Sequence, residues 1–298
     1  MSFDLEAYLV ERRCAVDEAL ERALPPADAY PPRLHEAMRY SVFAGGKRLR
    51  PILVIAGAEA VGGRMGDVLP TACAFELIHT YSLIHDDLPA MDDDDYRRGR
   101  PTSHRVFGEA MAILAGDALL THAFGLVVAN FAGGTRPLGV LPEVLSEIVA
   151  AAGSPGMIGG QAVDVESAGN VVAPETLEYI HTHKTGALIG AAVRVGALLA
   201  GASRPALEAL SRYGTRVGLT FQIVDDILDV EGSLESLGKT AGSDRRKRKV
   251  TYPGYHGLEA SRARAAALTR EGQAALTALG PAAEPLVALA DFALNRKA

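Results

Sequence analysis

The chain shows apolar residues at helical spacing from its start. Between residues 5 and 20 they recur in i, i+4 pairs, at Leu5, Leu9, Val16 and Leu20, which predicts an amphipathic helix. The proline-rich stretch LPPADAYPPR (24–33) ends this helix, and a second helix is predicted over residues 35–43. Gly45 and Gly46 then interrupt the pattern, and Pro51 suits the first turn of a third helix.

The same pattern continues to the end of the chain. Alternating strand patterns flanked by hairpin turns are scarce, whereas small residues are frequent, as in GALIGAAVRVGALLAGA (186–202), which favours close contact between helices. No long linker or low-complexity tract divides the sequence. We therefore predict an all-α fold of roughly ten or more helices in a single domain spanning residues 1–298.

Composition narrows the class of protein. With 48% hydrophobic residues the chain has material for a large core, and its net charge of −6 argues against a nucleic-acid partner. The two cysteines, Cys14 and Cys73, fit neither a disulfide framework nor a zinc site. No apolar run reaches the ~18 residues that a membrane span needs, and the N-terminus lacks the apolar region of a signal peptide. We expect a cytoplasmic protein without a membrane span.

An aspartate cluster occurs late in the sequence, in FQIVDDILD (221–229). Asp225 and Asp229 lie one helical turn apart on the same face, Asp226 follows Asp225, and the residues around them are apolar. Unpaired carboxylates would be costly in a buried helix. The cluster is either an exposed helix end or a site for a hard cation such as Mg²⁺, which takes a few carboxylates together with phosphate oxygens.

A denser cluster occurs earlier, in HDDLPAMDDDDYRRGRP (85–101). Asp86 and Asp92 are six residues apart, so an unbroken helix would separate their directions by ~120°. Pro89 interrupts helical hydrogen bonding and allows the chain to bulge, which would bring Asp92 back toward Asp86. A solvated position is less favourable for Asp86 and Asp87, which end an apolar helix, while at least two of the four aspartates at 92–95 are expected to face solvent.

Basic residues occur in several blocks along the chain. They are Lys47 and Arg50 after the Gly45-Gly46 break, Arg97 and Arg98 after the first aspartates, and Lys184, Lys239 and Lys249 later in the chain. Each alone is more often a surface charge, and RRKRK (245–249) is more often a solvated face. Taken together with two carboxylate clusters, they indicate a site in which acids hold Mg²⁺ and bases hold phosphate. His79 lies seven residues before Asp86 and shares its helix face, although a lone histidine in an apolar helix is more often a core residue.

These blocks resemble the trans-isoprenyl diphosphate synthase family, and within it the bacterial farnesyl diphosphate synthases. The matching blocks cover nearly the whole chain and are GGKRLRP (45–51), YSLIHDDLPAMDDDDYRRGRPTSH (81–104), GMIGGQAVDVE (156–166), HKTGALI (183–189), FQIVDDILD (221–229) and GK…GSDRRKRKVTYP (238–253). The resemblance implies an all-α bundle around a deep central active-site cavity, a homodimer, and head-to-tail condensation of isopentenyl diphosphate with an allylic diphosphate.

The resemblance also implies roles for individual residues. Three Mg²⁺ ions would be held by Asp86 and Asp92 from one wall and by Asp225 from the opposite wall, with support from Asp87, Asp226 and Asp229. The allylic diphosphate would be bound by Arg97, Lys184, Lys239 and Lys249, and isopentenyl diphosphate by Lys47, Arg50, His79 and Arg98. Thr185 and Gln222 would line the point where positive charge develops, and Asp164 would stand behind the metal-bound carboxylates.

Product length is expected to depend on the residues just before the first aspartates. Tyr81 and Ser82 lie about 6–8 Å down the helix from Asp86, where family members cap the cavity. An aromatic residue there and the four-residue spacer between Asp87 and Asp92 favour a farnesyl product, although Tyr81 could equally be core packing. Alternatives are a geranylgeranyl diphosphate synthase, a non-catalytic partner subunit, which would typically have one eroded aspartate motif, and a terpene cyclase, which would usually lack GGKRLRP.

Overall fold

The computed structural model describes residues 3–132, 138–170, 172–231 and 251–296. Over these residues the fold is helical, with one two-stranded antiparallel hairpin that pairs Tyr96–Arg97 with Arg100–Pro101. The first half contains α1 (Leu5–Ala23), α2 (Pro32–Val42), α3 (Leu49–Glu59), α4 (Met65–Asp86), α5 (Ser103–Phe107) and α6 (Glu109–Ala129). The predicted all-α class is confirmed.

The second half continues in the same way. A 3₁₀ turn (Leu138–Val140) leads into α7 (Leu141–Ala152), α8 (Met157–Ser167) and α9 (Pro174–Ile180), and a π-helical segment (His181–Gly186) joins α9 to α10 (Ala187–Leu199). The longest helix, α11 (Arg204–Glu231), is followed beyond residue 250 by α12 (Tyr252–His256), α13 (Leu258–Ala275), a 3₁₀ segment (Thr277–Ala283) and α14 (Glu284–Asn295).

Prolines set several of the boundaries that the sequence predicts. α1 ends at Ala23, directly before the proline-rich stretch, because proline supplies no N–H for helical bonding. α2 begins with Pro32 at a position where that N–H is not needed, three residues earlier than predicted. Pro51 lies in the first turn of α3, as predicted.

The chain divides into two compact units, and each has its own core. Unit 1 comprises Met1–Leu5, Leu53–Asp67 and Gly139–Ala298, and unit 2 comprises Glu6–Ile52 and Val68–Leu138. In unit 1, α10 lies so close to the second half of α3 that a Cβ at Gly196 would come within 1.9 Å of the Val54 carbonyl oxygen. In unit 2, α4 is buried along most of its length, including Phe75, Leu77 and Ile78. The prediction of a single domain stays a prediction.

Two segments of the described chain are long and apolar enough to cross a membrane by length and composition alone. They are Glu109–Ala129 and Thr277–Asn295. Buried helices of soluble proteins meet the same criterion, and the second segment is broken by a kink at Gly280. The two segments are weak evidence and do not indicate a membrane span.

Candidate active site

The first aspartate motif reverses the chain directly after α4. Leu88 donates to the carbonyl of His85 as the helix ends, and Pro89 has no N–H with which to continue it. Met91 then donates to the Leu88 carbonyl at 2.9 Å. The amide of Asp92 donates to the carbonyl of Asp86 at 2.8 Å, so the turn returns Asp92 to Asp86, as the position of Pro89 predicts.

Asp87 has a different environment from Asp86. Its carboxylate is buried and accepts from Arg97, at 2.6 Å from Nε and 2.5 Å from Nη2. Burial by itself lowers the pKa of Arg97, but the charge and hydrogen bond of Asp87 outweigh this and raise it. Asp87 therefore anchors Arg97, a residue predicted to bind diphosphate, in the hairpin.

The GGKRLR loop before α3 is held in unit 2 by an arginine that the sequence analysis did not single out. Arg48 has a φ of 49° and is 3% exposed, whereas Lys47 is exposed and Arg50 partly so. Its guanidinium donates to Glu76 of α4 at 2.7 Å, to Asp17 of α1 at 2.8 Å and to the Val42 carbonyl at 2.7 Å. Arg48 therefore fixes the loop from the inside, while Lys47 next to it stays exposed.

The same loop is fastened to the hairpin and lies beside His79. Arg98 donates to the carbonyl of Gly45 through Nη1. The pKa of His79 lies well below its ordinary value, because the partly buried ring is desolvated and because Arg50, Arg98, Arg97 and Arg48 add positive charge around it. Unit 2 thus brings His79 together with guanidinium groups that would repel its protonated form. Such a cluster is suited to an anion.

The second aspartate motif lies in α11, where Asp226 is buried within a hydrogen-bond network. Its Oδ2 accepts from the main-chain N–H of Tyr252 at 2.7 Å and lies 3.3 Å from Nε2 of His181, and its Oδ1 accepts from Nε2 of Gln222 at 3.1 Å. The Gln222 carbonyl in turn accepts from the hydroxyl of Thr185 at 2.8 Å. Asp226 therefore orients the side chains predicted to face the developing positive charge.

Asp225 points to a more open position. Its side chain is 45% exposed, and Oδ1 lies 2.6 Å from Nη2 of Arg296, the residue that follows α14. In each paired-aspartate motif the second residue is thus buried with protein partners, while the first lies toward a more accessible surface. The weak similarity between the motifs in sequence corresponds to a similarity in structure.

Lys184 and Thr185 lie in the π-helical segment, a local widening of the helix that often occurs at functional sites. α8 approaches this segment so closely that a Cβ at Gly160 would come within 2.2 Å of the Lys184 nitrogen. One turn further along α8, Asp164 accepts from Nζ of Lys184 at 2.7 Å. Gly160 is therefore required for contact between α8 and the π-helical segment, and Asp164 fixes the Lys184 side chain.

Tyr81 and Ser82, the predicted chain-length residues, lie in the last two turns of α4. Tyr81 is 5% exposed and packs edge-on against His85, with ring centroids 5.7 Å apart. Its pKa is raised to about 12 by burial and by the charge of Asp86. His85 is fixed to α6 through the Ile113 carbonyl, 3.1 Å from Nε2. Ser82 donates to the carbonyl of His79 at 2.9 Å, within its own helix.

Some predicted residues cannot be placed in this way. Lys239, Lys249 and the RRKRK run (245–249) lie outside the described residues. Asp229 is partly buried near the end of α11.

Among the residues that the structure describes, no three His, Cys, Asp or Glu side chains converge as a complete metal site. The sequence analysis also missed Glu76 and His181, which bind Arg48 and Asp226. Their surroundings in the sequence are apolar, and a polar group buried among apolar residues requires a partner, so this pattern could have indicated them.

The fold is helical and its basic clusters are suited to anions, and comparison with known proteins gives the family. The sequence profile of the polyprenyl synthetase family matches residues 31–277. The chain belongs to this family, and its relatives are trans-prenyl diphosphate synthases. It is a prenyltransferase, and the predicted family is confirmed.

Three individual relatives match over nearly their whole length. A geranylgeranyl diphosphate synthase from Cyanophora paradoxa is 46% identical over 99% of this chain and 97% of its own. A geranylgeranyl pyrophosphate synthetase from Pyrococcus horikoshii superimposes with a TM-score of 0.89 at 34% identity, over 98% of each chain. A putative farnesyl-diphosphate synthase from Marinomonas sp. MED121 gives 0.83 at 39% identity, over 98% of this chain and 100% of its own. Further relatives at 47–48% identity are also named geranylgeranyl pyrophosphate synthases.

Proposed function

We propose that this protein condenses isopentenyl diphosphate with dimethylallyl or geranyl diphosphate, head to tail, and stops at the fifteen-carbon product, farnesyl diphosphate. Prenyl transfer follows from the family, whereas the substrates and product length are proposed here. The observation that carries the product is Tyr81, a buried aromatic residue five positions before Asp86 that is held against His85. The wide aromatic ring, buried and held in place, is suited to end a growing apolar chain.

The cluster around His79 supports binding of isopentenyl diphosphate. Arg50, Arg98 and Lys47 supply positive charge, and the low pKa of His79 keeps its imidazole neutral and able to donate one N–H. The charges are gathered by the fold before any ligand arrives, since Arg48 and Arg98 hold the loop from two sides. A diphosphate would relieve the repulsion among them.

The aspartates fit a requirement for Mg²⁺. They are hard oxygen donors, Asp86 and Asp92 are brought together by the turn, and Asp225 is accessible. Mg²⁺ is usually held by one or two carboxylates with substrate phosphate oxygens completing its shell, so a complete protein cage is not expected. We propose that Asp86 and Asp92 hold two ions and Asp225 a third, with Asp229 in support. The metal would neutralise the leaving diphosphate as the allylic C–O bond breaks.

The residues of unit 1 would act on the allylic substrate. Lys184, fixed by Asp164, would bind its diphosphate together with Lys239 and Lys249. The oxygen atoms of Thr185 and Gln222 would face the allylic cation, because Asp226 fixes the Gln222 amide with its carbonyl toward Thr185. Oriented dipoles of this kind stabilise charge as it develops. After C–C bond formation the released diphosphate would take the proton.

A second candidate product is geranylgeranyl diphosphate, which is favoured by the names of several relatives. One experiment separates the two: the protein is incubated with Mg²⁺, isopentenyl diphosphate and each of dimethylallyl, geranyl and farnesyl diphosphate, and the products are sized by chromatography. A farnesyl diphosphate synthase extends the first two primers and leaves farnesyl diphosphate unchanged. Extension of farnesyl diphosphate by the wild-type protein would establish the longer product, and no turnover with any primer would refute both.

We also propose that the protein is a homodimer. α6 exposes three large apolar side chains, Ile113, Leu114 and Val128. A second copy of the chain would cover this apolar surface. Sedimentation equilibrium of the wild-type protein and of Leu114→Arg tests this, since the substituted charge should shift a dimer toward monomer. A cytoplasmic location stays a prediction.

A further inference from the structure

The last described residue of the chain is attached to the second aspartate motif. Arg296 follows α14, and its guanidinium lies over the ring of Phe221 with the central carbon 3.6 Å from the centroid. Nη2 donates to the Phe221 carbonyl at 2.7 Å and is 2.6 Å from Oδ1 of Asp225. The arginine side chain is 8% exposed. All three contacts lie within unit 1.

This contact differs from an ordinary surface ion pair. Exposed pairs contribute little to stability because both partners remain hydrated, as for Arg262 with Glu231, whose side chains are 46% and 38% exposed. Arg296 is instead desolvated, stacked on an aromatic face and bonded to two acceptors one helical turn apart. The position of Arg296 is therefore determined by α11, and the Asp225 carboxylate is already paired with this guanidinium.

We propose that Arg296 is the counter-ion of Asp225 before metal binds, and that a divalent cation can be held by Asp225 only after displacing it. This inference rests on the proposed role of Asp225 as a metal ligand. A carboxylate oxygen within 2.6 Å of a guanidinium nitrogen has its negative charge already neutralised, and a divalent cation on the same carboxylate would be repelled by the arginine. Metal binding at the second motif is thus coupled to release of Arg296.

The test uses Mn²⁺ alone as the probe, so that contacts of Arg296 with substrate phosphate do not contribute. Free Mn²⁺ is measured by electron paramagnetic resonance during titration of the wild-type protein, Arg296→Gln and Phe221→Leu. Arg296→Gln removes the charge, and Phe221→Leu retains the charge but removes the stacking surface. Both should bind Mn²⁺ at least threefold more tightly than the wild type, and Arg296→Gln should also lower the Tm in metal-free buffer.

Two controls define the outcome. Arg262→Gln removes an exposed arginine from the same unit and should change neither quantity. The Arg296→Gln effect should vanish in an Asp225→Asn background. Unchanged or weaker Mn²⁺ binding in Arg296→Gln, alongside normal prenyl transfer by the wild type, would overturn this inference while the proposed function stands. Absence of turnover by the wild type would instead overturn the function on which it rests.

Discussion

The main-chain amide of Asp92 donates a 2.8 Å hydrogen bond to the carbonyl oxygen of Asp86, across the turn that contains Pro89. This bond closes a turn that an unbroken helix could not make, because six helical residues would direct the two carboxylates apart. The backbone therefore determines which of the acids in this cluster can act together.

Asp86→Ala and Asp92→Ala are each expected to lower kcat by about 10²–10³-fold, since each removes charge that would hold the metal against the leaving diphosphate. The measurement is steady-state turnover at saturating substrates. Asp95→Ala is the matched control, because Asp95 is exposed and pairs with Arg105 at the surface. An equal loss in Asp95→Ala would show that total acidic charge, rather than the Asp86–Asp92 pair, matters.

Tyr81→Ala is expected to lengthen the product beyond fifteen carbons, because it opens the space that the buried ring fills beside His85. Product sizing after incubation with farnesyl diphosphate as primer gives the clearest readout. Ser82→Ala should have little effect, since its hydroxyl is bonded to its own helix. A fifteen-carbon product from Tyr81→Ala would mean that the ring is ordinary core packing.

Arg48→Met should destabilise the fold by about 3–5 kcal/mol, since it leaves Glu76 buried without its cation. Urea denaturation measures the loss. The double variant Arg48→Met/Glu76→Leu should recover much of that stability, because no buried charge is left unpaired and Asp17, the other partner of Arg48, is 42% exposed to solvent. Where the single variant folds, KM for isopentenyl diphosphate should rise more than kcat falls. A KM unchanged from wild type would show that Arg48 does not position the loop for binding.

Gly160→Ala is expected to reduce turnover strongly, because its methyl group would lie within 2.2 Å of the Lys184 backbone and force α8 away. Since the contact is with main chain, it cannot be relieved by a rotamer change, and the Lys184–Asp164 pair should be lost with it. Gly190→Ala is the control, as its added carbon meets backbone at an ordinary 3.7 Å. Kinetic assays on folded protein, verified by circular dichroism, distinguish the two.

The free energy of unfolding is expected to decrease as the pH is lowered below about 6.5, and His79 is one cause. Its pKa is lowered in the folded chain by burial and by the surrounding arginines, so the unfolded chain binds a proton that the folded chain does not. The stabilisation is present above pH 6.5 and is lost as the pH decreases. Unfolding midpoints between pH 8 and 5 should fall less steeply for His79→Asn than for wild type, while the exposed His256→Asn should follow wild type.

Local sequence signals were sufficient for much of the fold. Proline positions predicted where α1 ends and where the first turn of α3 lies, since the ring acts on its own backbone. The reversal at Pro89 was predicted for the same reason. The π-helical segment around Lys184 was not predicted, because nothing in HTHKTG differs from an α-helical pattern and the close approach of Gly160 is a tertiary contact.

The sequence by itself determined the helices, the family and the candidate site residues, because periodicity and motif spacing are local properties. Tertiary structure decided which members of each motif have protein partners. Asp87 and Asp226 became buried anchors, Arg48 turned inward while Lys47 turned outward, and Arg296 reached Asp225 from the other end of the last helix. These outcomes depend on charge neutralisation and burial between segments far apart in sequence, which spacing along one chain does not encode.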